Sequence, residues 1–134
     1  MRFRTTPPVE IDLATQVSAA ARRSLATVGL DGTFGLATPC NPMGRRTDDT
    51  TNGNRLIRFL AELDAAGKRY VRVDGCSPDG SHVEPGVALA WPQGDVVALA
   101  RKWEQSAIYW WDGATFWVIG ALTQSAPWQL GGAA

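Results

Sequence analysis

Asn41, Asn54, Glu84 and Gln105 are scattered along the chain, yet each falls where regular structure gives way to a loop or resumes from one. Such junctions are where irregular backbone, held by a rigid scaffold, presents polar groups to a ligand. Three amides supply donors and acceptors, and one carboxylate supplies acceptors alone. The set suits a planar polar molecule such as a base or an amide. Each residue also has an ordinary structural use. Asn41 stands before Pro42, where an Asn turns the chain through its own backbone. Asn52, Asn54 or Thr51 can cap a helix. Glu84 can pair with an Arg, and Gln105 can close a helix's last turn.

Arg45 and Arg46 add two guanidiniums just before the helix that Leu56 to Leu63 implies. A helix start with two Arg side chains fits a phosphate. Asp48 and Asp49 stand beside them and repel anions, so a solvated loop of mixed charge is the competing reading. His82 is the single histidine, two residues from Glu84. On a strand the two would share a face and could work as an acid–base pair. The nucleophile would then be Cys40, Cys76 or Ser106, with nothing local to activate it. Two unlinked Cys and one His do not make a metal set, and neither a disulfide framework nor a zinc site is expected.

The elements that position these residues follow from periodicity. Phe3 to Thr6 and Val9 to Ile11 are short strands broken by Pro7-Pro8, which suits a sheet edge. Leu13, Val17, Ala20, Ala21, Leu25 and Val28 recur at helical spacing, with Asp12 as cap and Gly29 or Gly32 as stop. Thr33 to Thr38 is a strand running into the Pro39-Cys40-Asn41-Pro42 loop. Leu56, Phe59, Leu60 and Leu63 form one helical face, which Gly67 ends. Arg69 to Val73 alternates as a half-buried strand. Gly75 to Gly86 reads as a loop, Val87 to Trp91 as a central strand, and Asp95 to Glu104 as a helix. Ala107 to Trp111 and Thr115 to Ile119 make a hairpin around Asp112-Gly113. One of its aromatic sets faces the core; the other, either Tyr109, Trp111 and Trp117 or Trp110 and Phe116, is expected to be buried under a covering helix, with an exposed stacking or subunit surface as the alternative.

These elements predict an α+β fold: one mostly antiparallel or mixed sheet of about five to six strands, with about three helices packed on one or both faces. Residues 1–122 form a single domain in this reading, and 123–134 a flexible tail on which Trp128 can dock. The length of 134 residues suits one core. Hydrophobic residues at 45% and charged residues at 19% are ordinary globular usage and exclude a wholly disordered chain. Zero net charge argues against a nucleic-acid partner. Eleven Arg against two Lys reflect nucleotide composition or a use for two-pronged pairing, which usage alone does not separate. No run approaches the ~20 apolar residues of a membrane span. The N-terminus lacks the apolar stretch of a signal peptide, so a cytoplasmic location is expected. No Gly-rich phosphate loop is present, and no cofactor is expected.

Four segments resemble the DUF3293 family, a bacterial family of unknown function. Ala37-Thr38-Pro39-Cys40-Asn41-Pro42 is similar to that family's Ala-x-Asn-Pro element closing an early strand. Asn52-Gly53-Asn54 and the helix to Leu63 resemble its Asn-rich helix start. Asp79-Gly80-Ser81-His82-Val83-Glu84-Pro85 looks like its loop leading to a Glu before a strand. Gln105-Ser106-Ala107-Ile108-Tyr109-Trp110 resembles its Gln-x-Ala-aromatic approach to the final hairpin. The resemblance runs over residues 33 to 118 and supplies no activity. If its elements converge, Asn41, Asn54 and Gln105 offer amide donors and acceptors and Glu84 a carboxylate at one site. The leading expectation is therefore a binding module for a polar small molecule, a nucleotide or related metabolite. The alternatives are a small hydrolase or nuclease using Glu84 and His82, and an interaction domain, such as a homodimer, formed through the Trp-rich hairpin.

Overall fold

A computed structural model describes residues 1–130. The chain forms a single antiparallel sheet of eight strands with three α-helices. The strands are β1 (Arg2–Phe3), β2 (Val9–Glu10), β3 (Phe34–Ala37), β4 (Val71–Cys76), β5 (Val83–Leu89), β6 (Ala107–Trp111), β7 (Phe116–Gly120) and β8 (Trp128–Gln129). The helices are α1 (Ala19–Ala26), α2 (Asp49–Ala65) and α3 (Gln93–Lys102). Across the sheet the order is β2-β1-β4-β5-β3-β6-β7-β8, and every pairing is antiparallel.

The expected α+β class and helix count hold, but the sheet has eight strands rather than five to six. β1, β2 and β8 are two residues long, too short for a period of two to register in sequence. The arm around Pro7-Pro8 is a hairpin at one edge of the sheet. β8 lies within the segment read as a tail and pairs with β7, and residues 131–134 lie outside the described residues. α1 begins at Ala19, not at Leu13. Asp12 instead accepts the Ala14 N–H in a local turn, and Ser18 takes the cap by accepting from Ala21. Asp, Thr15 and Val17 all favour such turns or extended backbone over helix. β5 begins before Val87, so Glu84 belongs to the strand rather than to a loop.

Both faces of the sheet are covered. One face carries Phe34, Leu36, Val73, Trp111 and Phe116 against Leu25 and the N-terminal arm. The other carries Val87, Leu89, Ile108 and Trp110 against Phe59 and Leu63 of α2 and Val96 and Ala100 of α3. Neither aromatic set of the β6–β7 hairpin is therefore exposed as a unit: Trp110, Trp111 and Phe116 are all buried. The exposed aromatics are Tyr109 and Trp128, which flank Val118 in register across β6, β7 and β8. No helix among the described residues is long and apolar enough to cross a membrane.

Two close approaches fix how the helices and loops meet the sheet. A Cβ on Gly35 would stand 2.7 Å from Val96 Cγ1, so α3 lies directly on β3. A Cβ on Gly86 would stand 2.4 Å from the Ala37 carbonyl oxygen, so the end of β3 folds over β5 at that point. This second crossing carries the chain to the loop at Asn41.

Candidate functional site

Asn41 lies just past β3 in left-handed backbone, at φ 51° and ψ 60°. That region favours Gly and tolerates Asn. Its side chain is nearly saturated. Nδ2 donates to Glu84 Oε2 at 2.8 Å, while Oδ1 accepts from Thr47 N and from Asn52 Nδ2, each at 2.9 Å. The Asn41 backbone N–H donates to Asn52 Oδ1 at 2.9 Å, so the two asparagines grip each other through backbone and side chain. Asn52 Nδ2 also reaches the Thr47 carbonyl at 3.2 Å. The loop from Asn41 to Thr47 is thus closed on the first turn of α2.

Gln105 arrives from the other side. α3 ends with Glu104 in left-handed backbone at φ 60°, and Gln105 N donates to Ala100 O at 2.9 Å. This is the hydrogen-bond pattern that usually places Gly after a helix. It delivers Gln105, buried, to the start of β6. There Nε2 donates to Cys40 O at 3.1 Å and to Trp103 O at 3.0 Å. Met43, itself at φ 60°, donates from its backbone N–H to Glu104 O at 2.7 Å. The three non-glycine residues with positive φ among the described residues therefore meet at one junction.

Arg55 of α2 ties the junction together. Nε donates to Pro39 O at 2.6 Å, Nη2 to Trp103 O at 2.7 Å and Nη1 to Glu104 Oε1 at 3.3 Å. Its guanidinium carbon stands 5.4 Å from the Trp103 ring centroid. Thr38 Oγ1 donates to Pro85 O at 2.8 Å and accepts from Cys40 N at 3.1 Å, pinning the strand end beside Glu84.

Asn41, Glu84 and Gln105 thus converge, the first two in direct contact and the third through the neighbouring peptide of Cys40. Asn54 does not converge. It is exposed on the outer face of α2, on an open surface with Thr51, Ile57 and Arg58. Asn52, one of three residues read as a helix cap, takes the place assigned to it. The cap of α2 is Asp48, whose carboxylate accepts from Thr51 N at 2.9 Å. Arg45 stays in solvent at the rim, its carbonyl accepting from Thr47 Oγ1 at 3.1 Å. Arg55 was not singled out in sequence. The signal for both missed residues was present, because Asn52, Arg55, Phe59 and Leu63 follow one another at three and four residues and form one helical stripe.

His82 precedes β5 and lies in solvent, its Nδ1 3.3 Å from Arg46 Nη2. The loop holding it is organised by Asp79, whose carboxyl is lowered to about 2 by hydrogen bonds from Ser81 and Ser77. No hydrogen bond links His82 to Glu84 among the described residues. Burial pushes the Cys40 thiol above its ordinary range, the opposite of an activated nucleophile. No three His, Cys, Asp or Glu side chains gather as a metal set among the described residues.

Glu84 Oε1 and Gln105 Oε1 accept no hydrogen bond from the described residues, while the opposite atoms of both groups are fixed. They are pre-oriented acceptors. The chain belongs to the DUF3293 family, described as proteins of unknown function, whose family model matches residues 37–108. That segment contains Asn41, Asn52, Arg55, Glu84 and Gln105. No curated protein and no solved structure matches the chain.

Proposed function

We propose that the protein is a binding module for a polar small molecule, a nucleotide or related metabolite, held at the loop that follows β3. The observation that carries this reading is the Asn41–Glu84 hydrogen bond of 2.8 Å, which fixes the carboxylate and leaves its second oxygen open. A fixed carboxylate oxygen accepts from the amino or imino edge of a base, and the open amide oxygen of Gln105 adds a second acceptor. The exposed Arg45 and Arg46 on the same loop suit a phosphate at the rim. Asn52, Thr47 and Arg55 are positioning residues: their bonds go to the loop itself. Rigid acceptors lower the ordering cost of binding.

Isothermal calorimetry with the four ribonucleoside monophosphates tests the reading. Saturable binding to at least one is expected, weakened about tenfold in Glu84→Gln or Gln105→Ala by loss of an acceptor. Affinity that survives Asn41→Ala, Glu84→Gln and Gln105→Ala alike removes the site from consideration.

A further inference from the structure

A cavity of about 70 Å³ lies between α1 and the sheet. Its walls include Val17, Leu25, Phe34, Trp111 and Phe116, all buried. Close-packed interiors leave few voids larger than a water molecule. This one has about twice the ~30 Å³ share of a single water. The exposed charged residues of its lining, Arg22 of α1 and Asp31 ahead of β3, mark the mouth. Arg22 is held in place, since Nη2 donates to Gly113 O at 2.5 Å and the guanidinium carbon stands 5.5 Å from the Trp111 ring centroid. Neither Arg22 nor Asp31 forms an ion pair among the described residues. A cation with spare donors and a carboxylate outside any ion pair thus line one small space of mixed polar and apolar character.

The cover of this space is light. α1 has eight residues, and Leu25 is its one buried side chain. A helix that short depends on its packing for stability and shifts at low cost. The cavity is lined by Phe34 and Gly113, at the end of β3 and in the β6–β7 turn that lie away from Asn41. The two sites are therefore separate.

We infer that this cavity binds a small apolar α-amino acid of valine size. The branched side chain fills the aromatic-walled space, the carboxylate meets Arg22 and the ammonium meets Asp31. A zwitterion answers both charges at the mouth, where a simple carboxylate or amine answers one and is repelled by the other. The volume holds about two to three carbon-sized groups, whereas benzene occupies a cavity of about 150 Å³, so aromatic amino acids are excluded.

The test is a two-dimensional amide and indole NMR titration of the full chain with L-valine, isobutyrate, isobutylamine and L-phenylalanine. Saturable shifts at Leu25, Phe34, Phe116 and the Trp111 indole are expected with L-valine. The other three should bind at least about tenfold more weakly, each lacking one contact or exceeding the space. Arg22→Gln and Asp31→Asn, both surface changes, should each weaken L-valine by a similar factor. Leu25→Phe fills the cavity and should abolish the response; if it fails to fold, the two surface variants still decide. The inference is overturned by an absence of shifts with L-valine, by an equal response to all four compounds, or by unchanged L-valine affinity in both surface variants.

Discussion

Asn41 and Cys40 are neighbours with opposite fates. The Asn41 side chain engages three partners at the loop, whereas Cys40 is 1% exposed and its thiol is raised by burial, only partly offset by the neighbouring Thr38 hydroxyl. Cys76 is exposed. In the folded protein at mildly alkaline pH, iodoacetamide should therefore label Cys76 and spare Cys40, and mass spectrometry should find both labelled only after denaturation. Labelling of Cys40 at the rate of Cys76 would show that the loop opens freely. At this scale the sequence was partly readable. Asn41, Glu84 and Gln105 stood out because turn chemistry and strand ends place them at junctions. Asn54 was chosen over Asn52 because residue type was weighed without helical phase. The two lie about 200° apart around an α-helix, and only Asn52 shares the stripe of Phe59 and Leu63. Arg55 was passed over because an Arg on a helix ordinarily points to water.

At the scale of elements, the site depends on β3 crossing closely over β5 at Gly86. Gly86→Ala puts a methyl group 2.4 Å from the Ala37 carbonyl oxygen, and backbone must move to admit it. A loss of about 1–3 kcal/mol in denaturant unfolding is expected, the usual cost of overpacking. Gly53 in α2 has open space around its missing side chain, so Gly53→Ala should instead stabilise by about 0.5–1 kcal/mol. If the two substitutions behave alike, the close crossing is not what fixes the loop. The long elements, α2, α3, β4, β6 and β7, were legible because each shows enough periods to be distinguished, whereas β5 was begun too late because Pro85 and Gly86 read as loop. β1, β2 and β8 were not, since two residues hold no period and their pairing is set by the neighbouring strand. The start of α1 was misplaced because its apolar spacing continues upstream through Leu13 and Val17, which pack against the same core without being helical.

Over the whole molecule, the sheet separates two cores, and the polar junction sits where β3, α2, β5 and the end of α3 come together. Of the elements that meet there, α2, β5 and α3 fall within the segment shared with the family, and β3 enters it at its last residue, Ala37. The flanking parts, with the N-terminal arm, α1, β7 and β8, build the second core and the row of Tyr109, Val118 and Trp128. Covering both sheet faces explains why six Trp residues did not announce a binding surface: the hairpin pair Trp110 and Trp111 is buried on opposite faces. It also leaves the polar junction, not an aromatic face, as the feature that the fold invests with the most specific geometry. The central claim is that this junction holds a polar small molecule. Its most direct measurement is mass spectrometry of the small molecules released when freshly purified protein is denatured, for the wild type and Glu84→Gln side by side. A nucleotide or related metabolite released in near-equal amount to the wild-type protein, and depleted in Glu84→Gln, is the predicted result. A wild type that releases nothing, or an equal release from both proteins, would contradict it.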